Sequence, residues 1–587
     1  MTISGISEQI IRAVNTILKD MGVAEPRATL EHPENILHGD LSTNAALAYA
    51  KELKMNPREL AGKILTALGD YKLEHVDKNE SAGPGFINFQ INPEFIGTEI
   101  VRISDDEKFG RTPVLKSKKI VVEYTDPNAF KVFHIGHLMS NSIGESISRI
   151  IDYSGATVVR LCYPSDIGLH IAKAVWAIKN NLKELPSEDT AITLRTDFLG
   201  KMYVYGTAQY EESPEVKAEI DSINKKLFEK SDKELNDIYE KGRRWSFEHF
   251  EALYKKLGTK FDGYIYESEV AEPGKKIVLA HVGKVFQESD GAIVFKGEDY
   301  GLHTRVFLNS QGLPTYEAKE IGLNTKKFAD IPDIDTSIVL TGNEQNEYFK
   351  VVRKALELID PKIGTRTHHI GHGMLRSTAG KMSSRKGNVI TGESLIEEME
   401  EMTLEKMADR EMTDAEKKIV ATDVAIGAIR YSILRQAPGG NIIYDPEKSV
   451  SFEGDSGPYL QYAAVRALTV IQKANEAGLK KFSIKDILPE SGFINQDSFA
   501  VTAGTLERMM VRFPEMVERA CKEYAPHHIT GYLTELAGLF NSFYAGNKII
   551  DPTKPAESSY RLSVTKAFAT VMTNGLYLLG INVPPKM

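Results

Sequence analysis

Residues 118–164 read KKIVVEYTDPNAFKVFHIGHLMSNSIGESISRIIDYSGATVVRLCYP, and this stretch decides the fold. An apolar, β-branched run at 120–122 predicts a strand, and a second apolar run at 157–162 predicts another. From Met139 to Gly155 apolar residues recur mostly every three or four positions, which predicts a helix between the two strands. Strand, loop, helix and strand in this order predict a parallel crossover unit, with the loop and the helix N-terminus at the carboxyl edge of the sheet.

The loop before this helix carries the run His134-Ile135-Gly136-His137. Exposed N–H groups and the positive end of the helix dipole favour phosphate, so the two imidazoles can face a nucleotide. Gly136 lets a flat ring approach the backbone without a side chain in the way. Two other interpretations stay open at this point. The histidines can belong to an ordinary loop-to-helix junction, or they can bind a metal, although zinc on a helix prefers histidines four apart with further ligands.

A second segment far downstream, KMSSRKGN at 381–388, favours the nucleotide interpretation. Its cations, hydroxyls and glycine are suited to holding a polyphosphate. Together the two segments resemble the hallmarks of the class I aminoacyl-tRNA synthetases, HIGH and KMSKS. The first matches letter for letter and the second is degenerate. The resemblance implies that ATP contacts His134, Gly136, His137, Met382, Ser383, Ser384, Arg385 and Lys386.

Length and composition predict an ordinary protein of several domains, because 587 residues exceed a single core and 26% of them are charged. The two cysteines, Cys162 and Cys521, are far apart, so neither a disulfide framework nor a clustered zinc site is expected. The first twenty residues read as an amphipathic helix rather than a signal peptide or a membrane span. A cytoplasmic protein without a membrane segment is therefore expected. The net charge of −9 does not favour a nucleic-acid partner, although a local basic face is compatible with it.

The fold class predicted from these patterns is α/β. It comprises a Rossmann-type parallel sheet with a helical insertion, a small N-terminal α/β domain and an all-α C-terminal domain. Strand patterns at 291–296, 302–308 and 336–341 are expected to complete the parallel sheet, and no strand is expected beyond residue 405. The predicted parts are an N-terminal module at 1–112, a first sheet half at 113–184, a charged helical insertion at 185–265, a second half at 266–400, a helical connecting region at 401–455 and a helical bundle at 456–587.

Stretches along nearly the whole chain resemble the arginyl-tRNA synthetase family. They are GDLSTNAA at 39–46, AGPGFINF at 82–89, the first motif from Val121 to Leu138, SGPYLQYAAVR at 456–466 and YLTELAGLFNSFY at 532–544. The resemblance implies a ligase that activates L-arginine with ATP and Mg²⁺ and esterifies it to tRNA(Arg). It also implies that the C-terminal helices grip the anticodon arm and that the N-terminal module meets the tRNA elbow. A monomer without zinc is expected.

The resemblance also implies an arginine site, formed by Glu123, Asn128, Tyr316, Glu320 and Gln345. A guanidinium is a planar fork of five donors that stays charged, so its pocket needs carboxylates together with amide and hydroxyl acceptors. Tyr316 and Glu320 are four positions apart and so present on one helix face, and Gln345 matches a glutamine in the next helix. Whether Glu123 or Glu320 pairs with the guanidinium stays open.

Three positions depart from the family pattern. Glu320 stands where aspartate is more common, and Tyr348 stands where histidine is usual. Ser384 replaces the catalytic lysine of KMSKS, and members of the family that lack this lysine resemble one another in having a lysine three residues before HIGH, which is Lys131 here. Lys386 is the competing candidate.

The implied catalytic set is His134, His137, Lys131 and Lys381, which stabilise the negative charge on the phosphates while the arginine carboxylate attacks the α-phosphate of ATP. Two alternatives remain. One is a class I synthetase for another amino acid, and the other is a non-catalytic paralogue that only binds RNA.

Overall fold

The computed structural model describes residues 3–33, 35, 38–377, 391–478 and 503–587. The strands are β1 Leu41–Thr43, β2 Val76–Ala82, β3 Phe86–Ile91, β4 Lys119–Glu123, β5 Thr157–Cys162, β6 Gly263–Tyr264, β7 Gln287–Ser289, β8 Ala292–Phe295, β9 Arg305–Leu308, β10 Thr336–Gly342, β11 Thr367–His372, β12 Leu375–Ser377 and β13 Ile442–Tyr444.

The first half of the chain contains the helices α1 Ile3–Asp20, α2 Ala45–Tyr49, α3 Pro57–Leu68, α4 Pro93–Asp105, α5 Ile135–Tyr153, α6 Leu169–Asn180, α7 Ile192–Glu212, α8 Pro214–Glu229, α9 Lys233–Leu257 and α10 Glu267–Ala280. The second half contains α11 Tyr316–Asp330, α12 Asn346–Ile359, α13 Pro361–Arg366, α14 Gly392–Lys406, α15 Asp414–Leu434, α16 Pro446–Ser449, α17 Gly457–Glu476, α18 Thr505–Val511, α19 Phe513–Glu523, α20 His527–Gly546 and α21 Pro555–Leu578.

The chain forms two compact units, and the first comprises residues 1–111, 462–519 and 531–575. Its small sheet is antiparallel, in the order β1-β3-β2. Asp40, just before β1, is only 2% exposed. Its carboxylate accepts a hydrogen bond from the N–H of Ile91 at 2.7 Å and another from the guanidinium of Arg508 in α18. This buried ion pair therefore joins the N-terminal sheet to a helix from the C-terminal third of the chain.

The second unit comprises residues 112–461, 520–530 and 576–587 and is built on a five-stranded parallel sheet in the order β11-β10-β4-β5-β6. The successive residues Val121 and Val122 of the central strand β4 point to opposite faces, and both are completely buried. Burial on both faces is what a parallel sheet covered by helices requires. Helix α5 joins β4 to the parallel strand β5, so the predicted crossover unit and the predicted fold class are confirmed.

Two of the predicted sheet strands were placed wrongly. β8 and β9 belong with β7 to a separate antiparallel sheet, and only β10 joins the parallel sheet. The two-residue turn Asp290-Gly291 connects β7 to β8, with φ angles of 48° and 77°. This is the favoured geometry of a tight hairpin, whereas a parallel connection needs a crossover of a dozen or more residues. The Asp-Gly pair was the sequence signal for this hairpin.

The expectation of no strand beyond residue 405 was also wrong. β13 at Ile442–Tyr444 pairs in parallel with β12 at Leu375–Ser377 to form a two-stranded sheet. A run of three residues is too short to show the alternation from which a strand is predicted.

Helices α7, α8 and α9 fill the charged stretch between β5 and β6. Together with α6 and with Ala129 and Phe130 of the loop before α5 they form a hydrophobic core, in which Trp245 and Ile220 are completely buried. Among the described residues, no helix has both the length and the apolar character that crossing a membrane requires.

Candidate active site

A cavity of about 790 Å³ lies at the carboxyl edge of the parallel sheet, in the second unit. Its walls come from the last residues of β4 and β10, the N-terminal turn of α5 and the first turns of α11. Ligands of open α/β sheets bind at this edge. The predicted site residues that line the cavity are Glu123, Asn128, Gly136, His134, His137, Tyr316, Glu320 and Gln345. Gln345 lies in a 3₁₀ turn and caps α12 rather than lying within it.

Lys131 is the predicted catalytic residue that lies beside the cavity and not in its lining. Its Nζ is 4.8 Å from the centre of the Tyr203 ring, which comes from the insertion helix α7. The other predicted cationic and ATP-binding residues lie outside the described residues, namely Lys381, Met382, Ser383, Ser384, Arg385 and Lys386. Residues on either side of that segment do reach the site. Leu375 lines the cavity, and Thr391 pairs with His134.

The two histidines form a cap on helix α5. The N–H of Gly136 donates to Nδ1 of His134 at 3.1 Å, and the N–H of His134 donates to Nδ1 of His137 at 3.3 Å. Because both Nδ1 atoms accept, each neutral ring carries its proton on Nε2 and can donate it to a bound anion. A Cβ on residue 136 would lie 3.0 Å from Cε1 of His134, so glycine permits this close approach.

Both imidazoles are uncharged at neutral pH. Burial, followed by the charge of Lys131, lowers the pKa of His134. Burial lowers the pKa of His137 well below its usual value, and the neighbouring His134 and Lys131 add to the effect. The rings are stacked with their centres 3.5 Å apart, a separation at which two positive charges would repel strongly. The pair is therefore suited to meeting an anion by hydrogen bonding rather than by charge.

The backbone between β4 and α5 is strained. Thr125, Asp126 and Phe130 have φ angles of 82°, 45° and 62°, which residues other than glycine rarely adopt. Specific hydrogen bonds hold this conformation. The N–H of Thr125 donates to Oγ of Ser140 at 2.9 Å, and the N–H of Tyr163 donates to Asp126 at 2.7 Å. Such strain persists where the surrounding structure over-determines it, and it places the Asp126 carboxyl in the cavity wall.

The cavity is strongly acidic, since its lining includes the carboxyl groups of Glu123, Asp126, Glu267, Glu317, Glu320 and Glu344. Three of them have cationic partners. Lys327 pairs with Glu123 at 2.9 Å, Lys319 with Glu267 at 3.1 Å, and Arg305 with Glu317 at 3.3 Å.

Glu320 has a different environment from these paired acids. Its Oε2 accepts from Nδ2 of Asn324 at 3.3 Å, and among the described residues it forms no ion pair. Burial, followed by the charge of Glu123, raises the pKa of Glu320 to about 8. The same two causes raise the pKa of Asp126 well above its usual value. A cation that enters this space would ionise these carboxyl groups and satisfy them.

Helix α11, which carries Tyr316 and Glu320, is held very close to α10. A Cβ on Gly274 of α10 would lie 2.0 Å from the carbonyl oxygen of Ala318, and a Cβ on Gly322 of α11 would lie 2.3 Å from that of Val270. Backbone atoms cannot move aside as a flexible side chain can. One glycine on each helix therefore sets the depth at which α11 meets the cavity.

Sequence reasoning missed several residues of the site. They are Asp126, Glu267, Arg305, Glu317, Lys319 and Lys327. For the two lysines a signal existed, because positions 319 and 327 fall on the same side of a helix as 316 and 320. For Glu267 and Arg305 there was no sequence signal, since nothing near them in the chain indicates that they line this cavity.

Comparison with known proteins gives three matching family models. The model of the tRNA synthetases class I (R) catalytic domain matches residues 101–445. The DALR anticodon binding domain matches 460–587, and the arginyl tRNA synthetase N-terminal domain matches 5–91.

Curated relatives match over the full length. The arginine–tRNA ligase of Treponema denticola is 30% identical over 563 residues, which cover 94% of this chain and 93% of the relative. That of Borrelia hermsii is 28% identical and covers 100% of both chains. Among solved structures, the Thermus thermophilus arginyl-tRNA synthetase has a TM-score of 0.79 at 24% identity, covering 99% of this chain and 100% of that one, and this likeness shows the shared fold.

The parallel sheet, the histidine loop at its carboxyl edge and the match over 101–445 define a class I aminoacyl-tRNA synthetase, a ligase that uses ATP to join an amino acid to tRNA. The N-terminal and C-terminal matches and the full-length relatives narrow this class. The chain belongs to the arginyl-tRNA synthetase family.

Proposed function

We propose that the protein activates L-arginine with ATP to arginyl-adenylate and transfers the arginyl group to the 3′ end of tRNA(Arg). One observation carries this proposal. Six carboxyl groups line a single cavity beside the histidine loop, and Glu320 among them forms no ion pair with a described residue. A permanently charged, planar guanidinium suits such a cavity, since carboxylates accept its donors in pairs.

For the arginine side chain and its α-amino group we propose the five residues taken from the resemblance, Glu123, Asn128, Tyr316, Glu320 and Gln345. Their support is that all five line the same cavity. Glu320 is the proposed partner of the guanidinium, because Glu123 already has Lys327 as its counter-ion. Lysine, with its compact ammonium, would leave part of this acceptor set unpaired, and unpaired buried polar groups are costly.

The proposed chemistry is in-line displacement at the α-phosphate without a protein nucleophile. His134 and His137 donate Nε2–H groups to phosphate oxygens. Lys131 and Lys381 supply positive charge, with Lys131 rather than Lys386 replacing the lysine missing at Ser384. Lys131 stands near enough to act through its charge on both imidazoles.

We propose that Mg²⁺ accompanies the ATP phosphates and that zinc is not required. Among the described residues, no group of three or more His, Cys, Asp and Glu side chains is placed to hold a metal ion. The ion would therefore be held mainly by phosphate oxygens and water, which is common for Mg²⁺.

For tRNA we propose that the module at 1–112 meets the elbow and that the helical region at 456–587 holds the anticodon arm. Tyr462 and Tyr544 are proposed as stacking surfaces, since both flank the Arg466 guanidinium, at 4.7 Å and 5.1 Å. The sheet halves at 113–184 and 266–400, the insertion at 185–265 and the connecting region at 401–455 would form the catalytic part. A monomer acting in the cytoplasm, where tRNA is charged, completes the proposal.

The test is to identify the amino acid that the protein esterifies to total tRNA. Purified protein, ATP, Mg²⁺ and a mixture of all twenty amino acids are incubated with tRNA, which is then deacylated for mass spectrometry. Arginine alone is expected. Any other amino acid would favour the rival interpretation of a class I synthetase of different specificity.

A non-catalytic RNA-binding paralogue is the second rival. ATP–pyrophosphate exchange in the presence of arginine and tRNA(Arg) separates the two, because only an enzyme that forms the adenylate can exchange pyrophosphate. No exchange together with tight tRNA binding would favour the paralogue.

A further inference from the structure

Glu123 lines the cavity, and its carboxylate forms an ion pair with Lys327, which is not part of the cavity lining. Nζ of Lys327 donates to Oε2 of Glu123 at 2.9 Å, and the two side chains are 0% and 2% exposed. We propose that Lys327 is a positioning residue for arginine selection, which fixes Oε2 of Glu123 so that the other carboxylate oxygen is presented to the substrate. This inference rests on the proposed function, because it concerns the same arginine cavity.

The geometry of α11 supports the assignment. Tyr316, Glu320 and Lys327 lie on one face of this helix, since steps of four and seven residues return close to the same side. The first two line the cavity, and the third reaches the end of β4, where Glu123 is the last residue. One helix therefore carries both the proposed ligands of arginine and the counter-ion of the acid opposite them.

The cost of burying this pair points to a role beyond packing. A lysine ammonium fully removed from water is expensive, and apolar residues of similar volume often serve stability equally well. Without Lys327, Glu123 would be a buried carboxylate close to Asp126 and Glu320, and like charges at such a site force protonation of one member. A protonated Glu123 would donate where the guanidinium needs an acceptor.

The acids next to Glu123 have raised pKa values, which favour their protonated forms. Burial and the charge of Glu123 raise the pKa of Glu320 to about 8, while Lys327 acts in the opposite direction. Lys319 of the same helix neutralises Glu267, another acid of the cavity wall, at 3.1 Å. The two lysines thus leave Glu320 as the acid of this helix face that awaits a cation from the substrate.

The experiment compares Lys327→Met with Lys327→Arg in steady-state charging of tRNA(Arg). Loss of the ammonium is expected to raise KM for arginine on the order of 10- to 100-fold, with KM for ATP within about twofold of wild type. Lys327→Arg keeps the charge and the donor, so it should recover most of the affinity. The matched control is Lys326→Met, because Lys326 is the neighbouring residue and pairs instead with Asp330 at 2.8 Å. It should behave as wild type.

A Glu123→Gln background tests whether Lys327 acts through Glu123. Adding Lys327→Met to Glu123→Gln should leave KM for arginine unchanged, whereas a role in general stability would add its own loss. If Lys327→Met does not fold, Lys327→Gln replaces the ammonium by a shorter, uncharged amide, and a rise in KM for arginine is again expected.

Two outcomes overturn the inference in distinguishable ways. If folded Lys327→Met or Lys327→Gln protein has the wild-type KM for arginine, or if the effects add in the Glu123→Gln background, the positioning role alone is wrong. If the wild-type protein does not charge tRNA with arginine, the proposed function is wrong and the inference falls with it.

Discussion

The carboxyl group of Glu320 shows what a single residue contributes at this site. It is buried, its carboxylate accepts a hydrogen bond from the side-chain amide of Asn324 one helical turn away, and it lies four residues after Tyr316. Since Glu320 forms no ion pair with a described residue, a cation that entered the cavity would supply its counter-charge.

Glu320→Gln should therefore weaken arginine binding specifically. The amide keeps the shape but offers one acceptor and no charge, so KM for arginine is expected to rise about 100-fold or more. KM for ATP should change little. The comparison is Glu347→Gln, an exposed acid that pairs with Lys350 on the surface. Equal KM values for arginine in wild type and Glu320→Gln would contradict the role of Glu320.

The raised pKa of Glu320, about 8, predicts a pH dependence. Below pH 8 the group is protonated, and the guanidinium must displace this proton in order to bind. Arginine affinity should consequently fall about tenfold for each pH unit below 8 and become constant above it. Measuring KM for arginine from pH 6 to 9 tests this. The slope should vanish in Glu320→Gln, and a wild-type KM that does not vary with pH would contradict the prediction.

Among the elements, helix α11 carries Tyr316, Glu320 and Lys327 together. Its position depends on the close crossing with α10, where the two glycines Gly274 and Gly322 bring backbone against backbone.

Gly274→Ala should displace α11, since the new Cβ would meet the Ala318 carbonyl. A shift of about 1 Å at the reacting groups can cost about 100-fold in rate, so kcat/KM for arginine should fall by roughly this factor. Gly62→Ala is the control. Gly62 lies in α3, and a Cβ added there would meet no other atom within 4 Å. It should leave activity unchanged and stabilise the helix slightly. Wild-type kinetics for Gly274→Ala would show that α11 tolerates movement.

The sequence predicted long elements well and short ones poorly. The strand at 120–122 and the helix that follows the HIGH motif were found, because an apolar run and a sustained helical period are strong signals. Strands were predicted where β8 and β9 lie, but they were assigned to the wrong sheet, because a strand pattern does not reveal its pairing partner; the Asp290-Gly291 pair was the signal for the antiparallel hairpin of β7 and β8.

On the scale of the whole molecule, the first compact unit joins the beginning of the chain to its C-terminal helices. Two side-chain pairs among the described residues contribute to this connection. Asp40 pairs with Arg508, and both are nearly fully buried, whereas His32 and Glu515 are paired at 2.6 Å with about a fifth of each side chain exposed.

Asp40→Ala should destabilise this unit strongly. It leaves the Arg508 guanidinium buried without its counter-ion, which costs about 3 to 5 kcal/mol. Urea denaturation followed by circular dichroism should show an earlier transition. Glu515→Gln, which weakens the partly exposed His32–Glu515 contact in the same unit, should cost about 1 kcal/mol or less. If Asp40→Ala loses no more than Glu515→Gln, the buried pair does not hold the unit together.

The residues that could be predicted are those that match a motif of the family. The positions of Glu123, Tyr316, Glu320 and Gln345 in one cavity agree with the resemblance, while their roles stay predictions. The counter-ions could not be found in the same way. The helical period places Lys327 on the face of Tyr316 and Glu320, but its contact with Glu123, 204 residues away, depends on the crossing of a helix and a strand, which no local pattern encodes.

The central claim, that a cavity of carboxyl groups selects a positively charged guanidinium, is tested most directly by comparing arginine with citrulline, its uncharged analogue of nearly the same shape. The measurement is ATP–pyrophosphate exchange in the presence of tRNA(Arg), with lysine as a third substrate. The kcat/KM for arginine is predicted to be about 10⁴-fold or more higher than that for citrulline. It is predicted to exceed the kcat/KM for lysine by a similar factor. Citrulline activity within about tenfold of arginine would show that shape, not charge, decides, and would contradict the account.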